Sequence, residues 1–432
     1  MKIKVIGAGL AGCEAAWQIA KQGAEVELWE MKPQKYSPAH KSPDFAELVC
    51  SNSLRADGIA NAVGLLKEEM RKIGSLIMEC ADATKVPAGG ALAVDRDGFS
   101  KMITDKIKNN PKITVKSGEI TEINEDEYTV IATGPLASDG IIPEIKRLTG
   151  QEYLHFFDAA APIVSYESID MSKAFRGARY GKGGDDYINC PMNKEQYLAF
   201  WNELIKAEAA PLHGDIDNPN VFEGCMPIEI MANRGEDTMR YGPLKPVGLT
   251  NPHDSSRPYA VVQLRQDNAN GTLFNIVGFQ THLKFGEQKR VFSMIPGLEN
   301  AEFVRYGVMH RNTYINSPDL LTNTYSMRKY PKIYFAGQIT GVEGYIESAS
   351  SGMVAGINIA RKLLGKEEVV FSNRTALGAL SNYISTGSVA NFQPMNVNFG
   401  IFEDLGMRIK DKKEKASMFA QRSFSEIDSL TI

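Results

Sequence analysis

The stretch KVIGAGLAGCEAAWQIAKQGAEVELWE, residues 4–30, constrains the fold of this chain more than any other. An apolar run stops at three spaced glycines. A segment of helical period follows, with Ala16, Ile19 and Ala20 on one face, and a second apolar run closes on Glu30. Strand, glycine turn, helix and strand in this order predict a βαβ unit that binds a dinucleotide. Gly7 makes the tight turn, Gly9 lets backbone approach a pyrophosphate, and Gly12 brings helix against strand. Ala8, Leu10 and Ala11 complete the turn as cofactor-binding candidates. The helix N-terminus favours the negative charge. Glu30, 18 positions beyond Gly12, is placed to accept hydrogen bonds from ribose hydroxyls, and Met31 and Lys32 beside it are further cofactor-binding candidates.

A chain of 432 residues has room for two or three domains, and two is the simplest expectation. Its 43% hydrophobic and 23% charged residues, with glycines in short clusters, exclude a disordered or fibrous class. The N-terminal apolar run leads to no small-residue cleavage site, and no later apolar run reaches about 18 residues. A cytoplasmic protein is expected. Its five cysteines, Cys13, Cys50, Cys80, Cys190 and Cys225, are odd in number and widely spaced. They read as thiols in a reducing compartment, and no metal site is indicated. The net charge of −4 means that any nucleic-acid partner needs a local basic patch.

Two later segments specify the dinucleotide. EYTVIATGPLA is a β-branched strand closing on Thr133 and Gly134. KIYFAGQITGVEGYIESASSGMVAGINIARKLLG is a strand, a loop holding Gly337, Gln338, Gly344 and Tyr345, then a helix with Gly352 and Gly356 one turn apart. Both resemble FAD-domain segments of the glutathione-reductase-like flavoproteins, although many of those carry aspartate where Gln338 stands. No second G-x-G-x-x-G unit offers a nicotinamide site, and GKGGDD near Gly183 reads as a loop, so NAD(P)H is expected to visit rather than reside. Between 155 and 305 the βα rhythm is lost. Asn270-Gly271 predicts a hairpin between two β-rich runs, and NKEQYLAFWNELIKAEAA predicts an amphipathic helix. The expected architecture is α/β, with a glutathione-reductase-like FAD-binding domain formed by residues 1–155 and 305–432. An inserted α+β domain covers 156–304.

Long stretches together resemble one family: AELVCSNSLRAD, FEGCMPIEIMANRGEDTMRYGPLKPVGL, VGFQTHLKFGEQKRVFSMIPGLENAEFVRYGVMHRNTYINSP and YFAGQITGVEGYIESASSG. With the N-terminal turn, they are similar to the folate- and FAD-dependent tRNA (uracil-54-C5)-methyltransferases along essentially the whole chain. The resemblance implies that methylenetetrahydrofolate donates carbon by way of reduced FAD, that NAD(P)H is a co-substrate, and that the product is 5-methyluridine in the T-loop of tRNA. A related family acts on 23S rRNA with the same chemistry. C5 of uracil belongs to a conjugated enone, and thiolate addition at C6 makes it nucleophilic. Cys225 in EGCMPIE matches the family's nucleophile and explains a lone cysteine there.

Cys50 matches the second family cysteine, either as the base that removes the C5 proton or as a thiol that protects the flavin. Tyr345 matches a tyrosine beside the isoalloxazine. His310, with His282 as second choice, is the candidate for the family histidine that stacks on the folate pterin ring. Glu343 and Glu347 are acid or base candidates near the flavin, whereas Cys13 is expected to be packing. Arg234, Arg240 and Lys245 after the nucleophile, with Lys284, Lys289 and Arg290 after the hairpin, are candidate phosphate contacts. The basic run MRIKDKKEKASMFAQR reads as an exposed helix. Three other readings remain: a small-molecule flavin oxidoreductase, a non-catalytic flavoprotein that binds RNA or a protein partner, and the wobble-uridine modification flavoprotein, which is longer.

Overall fold

The computed structural model describes residues 2–151, 154–181, 184–211, 226–387 and 392–432, with 154–158 and 310–311 described as backbone only. Five parallel strands form the sheet that carries the N-terminal turn, in the order Ile333–Phe335, Thr129–Ile131, Lys2–Ile6, Glu25–Glu30 and Ile113–Ser117. The first and last thirds of the chain therefore share one sheet, as the glycine motifs at both ends predict. The helix Leu10–Lys21 lies against the late helix Tyr345–Leu363. Glycine makes that contact possible. A Cβ on Gly352 would sit 2.1 Å from Ala11 O, and one on Gly356 would sit 2.6 Å from Ala15 O.

The middle of the chain builds a second, antiparallel sheet of six strands in the order Phe175–Arg176, Tyr187–Met192, Ala260–Gln266, Leu273–Ile276, Ile163–Ser165 and Phe303–Arg305. It has its own apolar core, formed with the helices Lys194–Lys206 and Phe285–Phe292. The predicted amphipathic helix is Lys194–Lys206. Asn193 and Gln196 close its N-terminus as a reciprocal capping box. The predicted hairpin is present but wider than a two-residue turn, because the strands stop at Gln266 and restart at Leu273. Gly271 takes the left-handed conformation (φ +65°), and the Asn268 side chain accepts from the N–H of Thr272 (3.0 Å) and Leu273 (3.2 Å).

Two antiparallel strands, Leu154–Ala159 and Met309–Tyr314, carry the chain between the two sheets. The basic C-terminal run forms much of the helix Lys412–Asp428, which exposes its lysines and buries Ala416, Phe419, Ala420 and Ile427. No described helix is long and apolar enough to cross a membrane.

Candidate functional site

The glycine turn opens onto a cavity of about 490 Å³, within the size range of small-molecule and cofactor sites. Gly7 has φ +99°, and a Cβ there would lie 2.5 Å from Ala132 O. Gly9 differs, because an added Cβ would meet nothing within 4 Å. That open face is where a ligand approaches the backbone at the N-terminus of the helix Leu10–Lys21. Gly12 does not line the cavity; its Cβ would fall 1.8 Å from Gly7 O, so it sets the closeness of helix and turn. The remaining cofactor candidates all line the cavity: Gly7, Ala8, Gly9, Leu10, Ala11, Glu30, Met31, Lys32, Thr133, Gly134, Gly337, Gln338, Gly344 and Tyr345.

Glu30 is already engaged with backbone. Its carboxylate accepts from Ala8 N–H (2.8 Å) and Lys32 N–H (3.0 Å), which leaves further lone pairs for a ribose. The Lys32 ammonium turns away to Ser42 O (3.2 Å) and Asp44 O. Thr133 Oγ1 and Trp29 Nε1 are buried, line the same cavity and have no hydrogen-bond partner in the protein. Unsatisfied buried donors and acceptors are rare in folded proteins. A ligand with polar edges satisfies them, and a dinucleotide at the glycine turn fits.

Cys50 lines this cavity in a turn held from four sides. Its thiol donates to Ala159 O (3.5 Å), and its N–H donates to the Tyr345 hydroxyl (2.7 Å), which also accepts from Ser51 N–H (3.3 Å). Three arginines hold the rest. Arg96 donates to Leu48 O, Arg305 to Val49 O, and Arg265 to Ser51 Oγ (2.6 Å) and Asn52 Oδ1 (3.2 Å). Arg96 is also paired with buried Asp267 (Nη2 to Oδ1 3.0 Å). Burial works against the Arg96 charge, but Asp267 outweighs it and holds the guanidinium above its ordinary value. Arg265 and Arg305 bond to neutral groups, so the turn sits among more positive than negative charge among the described residues.

None of these arginines follows from local sequence. The one available signal is Arg265 itself, a charge inside the apolar run YAVVQLRQ. Replacing Arg96 by methionine leaves Asp267 buried and unpaired. The expected cost is about 3–5 kcal/mol, read as a lower denaturant midpoint.

The loop before the late helix supplies the remaining acids. Gln338, where many flavoproteins of this fold carry aspartate, donates its amide to Glu343 Oε2. Asn396 donates to Glu343 O, which ties the loop to the C-terminal segment. Gly344 has φ +114°, and a Cβ there would lie 2.2 Å from Glu347 Oε2. Gly344→Ala is expected to weaken FAD binding at least tenfold, because both the backbone conformation and the Glu347 carboxyl must shift; fluorescence titration of the apoprotein measures it.

The other candidates whose side chains are described lie outside the cavity lining. Cys225 is outside the described residues. The chain after it is anchored near the cavity, since Ile228 N–H donates to O of Gln280 (2.7 Å), a lining residue. His310 is described as backbone only, opposite Asp158 in the linking strands. His282 is not a lining residue; its Nδ1 lies 2.6 Å from Glu229 Oε1 in a largely buried pair. Arg234 is exposed just after the helix Ile228–Asn233. Arg240 is occupied by Asp237, Tyr259 O (3.0 Å) and the Tyr259 ring, whose centroid is 3.5 Å away. Lys284 pairs with Glu208, and Arg290 with Glu203 and Glu287. Such exposed pairs contribute little to stability. Cys13, Cys80 and Cys190 are buried, and burial pushes each thiol up.

The fold has solved counterparts. A crystal structure of Aquifex aeolicus GidA superimposes with a TM-score of 0.70 at 17% identity, covering 100% of this chain and 76% of that one. The family model described as glucose inhibited division protein A matches residues 2–367. Among curated relatives, the methylenetetrahydrofolate–tRNA-(uracil-5-)-methyltransferase TrmFO of Acetivibrio thermocellus is 65% identical over 421 residues, 98% of this chain and 96% of the relative. The protein of the same name from Lactobacillus acidophilus is 60% identical over 428 residues, 99% of this chain and 98% of the relative. The chain therefore belongs to the GidA family and, within it, to the methylenetetrahydrofolate–tRNA-(uracil-5-)-methyltransferases.

Proposed function

We propose that this protein makes 5-methyluridine in tRNA, at uracil-54 of the T-loop, with carbon from methylenetetrahydrofolate and FAD bound in the cavity at the glycine turn. Near full-length identity to relatives named for that activity carries the reading. The reaction replaces C5–H by C5–CH3, so a methylene carbon must gain two electrons and one proton, a hydride equivalent. Bound FAD, once reduced by NAD(P)H, supplies the carrier and reductant chemistry for that change.

The chain's own residues do the rest. The Cys225 thiolate adds to uracil C6, which turns C5 into a nucleophile, and leaves again when the C5 proton is removed. Cys50 takes that proton. Its turn is held at the cavity by the Tyr345 hydroxyl and Arg265. The Tyr345 ring, at the start of the late helix and lining the cavity, offers a face to stack on flavin or substrate. His310 is the pterin-stacking residue. Lys284, Arg290, Arg234 and Arg240 belong to the half of the molecule that presents RNA, where phosphate contacts position without reading bases.

The test supplies protein, NAD(P)H and methylene-labelled methylenetetrahydrofolate to unmodified tRNA and to a 23S rRNA fragment separately. Labelled 5-methyluridine is expected in tRNA. Label in rRNA alone moves the substrate and keeps the chemistry. Consumption of NAD(P)H through the flavin with neither RNA labelled makes the protein a small-molecule oxidoreductase.

A further inference from the structure

Glu347 is wholly buried in the first turn of the late helix and lines the cavity. Its two oxygens are treated differently. Oε1 accepts from Arg55 Nη1 (2.7 Å) and from Val397 N–H (3.1 Å), whereas Oε2 is buried with no partner in the protein. The missing Cβ of Gly344 leaves the room that Oε2 occupies. Arg55 reaches Glu347 from a left-handed backbone conformation (φ +67°), which is strained for a residue other than glycine. Lys67 adds positive charge nearby; burial lowers its ammonium to about 8, and it donates to Ala56 O (2.7 Å). Burial pushes the Glu347 carboxyl up, against the pull of Arg55.

An acceptor left unmade in the interior is destabilising, and such strained, unsatisfied groups cluster where a ligand completes them. We infer that Glu347 Oε2 accepts a hydrogen bond from the ring N–H of a fused pyrimidine ring system, flavin or pterin, bound in the cavity. Flavin and the folate pterin both carry such an N–H, next to a ring carbonyl. The inference rests on the function proposed above and names how that site recognises its ring.

Glu347→Gln tests it. The single oxygen of the amide stays with Arg55 and Val397 N–H, so the NH2 group faces the ring N–H, donor against donor. Apoprotein is titrated with FAD, and FAD-loaded protein with tetrahydrofolate. The expected result is a Kd raised at least tenfold in one arm, with wild-type thermal stability of the apoprotein; the arm affected tells which ring is held. Glu347→Asp, which keeps the charge and withdraws Oε2 by one methylene, is expected to weaken the same arm less, and it carries the test should the glutamine variant misfold. Unchanged or tighter binding in both arms, with a wild type that binds FAD and labels tRNA, overturns the inference alone. A wild type that binds no FAD overturns this inference and the proposed function together.

Discussion

Cys225→Ala is expected to lower 5-methyluridine formation by at least ~10³-fold while the protein keeps its FAD. Removing a covalent nucleophile typically costs several orders of magnitude, because the remaining site can only orient the reactants. The loss here is large for a specific reason: without addition at C6, C5 stays part of a conjugated enone and does not attack an electrophilic carbon. Cys225→Ser is expected to fail almost as badly, since a hydroxyl is far less ionised than a thiol near neutral pH. The flavin absorbance spectrum of each variant should match wild type. Methylation within a few-fold of wild type in Cys225→Ala would return this cysteine to a packing role.

Gly12→Val and Gly9→Ala are expected to fail differently, although both alter one six-residue turn. A Cβ at position 12 would lie 1.8 Å from Gly7 O, a backbone atom directly after the strand Lys2–Ile6, which is paired on both sides in the parallel sheet. The helix must move away, at a cost of about 4 kcal/mol or more, which takes both stability and bound flavin. A Cβ at position 9 meets no protein atom within 4 Å. Gly9→Ala should therefore unfold like wild-type apoprotein and still lose FAD affinity, because the methyl enters the space left for the pyrophosphate. Thermal melts of the apoproteins and FAD titrations separate the two cases. Equal loss of stability in both variants would contradict a ligand-facing Gly9.

What could be read from sequence was what depends on near neighbours. The roles of Gly7, Gly9 and Gly12 follow from spacing within one turn, and the helix Lys194–Lys206 follows from its period and its capping residues. The wider turn at Asn270-Gly271 was less legible, because its width is set by Asn268 bonding to Thr272 and Leu273 rather than by the dipeptide. The surroundings of Cys50 were not legible. Arg96, Arg265 and Arg305 come from a helix start and two strands of the antiparallel sheet, and only the packing of the two halves brings them to residues 48–52. His282 shows the converse: its motif suggested a folate contact, and tertiary structure pairs it with Glu229 outside the cavity lining.

The central claim is that the new methyl carbon arrives as a folate methylene and is reduced on this protein. It is tested most directly with methylenetetrahydrofolate carrying two deuteriums on that carbon, in ordinary water, with NAD(P)H and unmodified tRNA and without S-adenosylmethionine. Mass spectrometry of the digested tRNA should find 5-methyluridine holding both deuteriums, at uracil-54. A product with no deuterium, or 5-methyluridine formed only when S-adenosylmethionine is added, would contradict it.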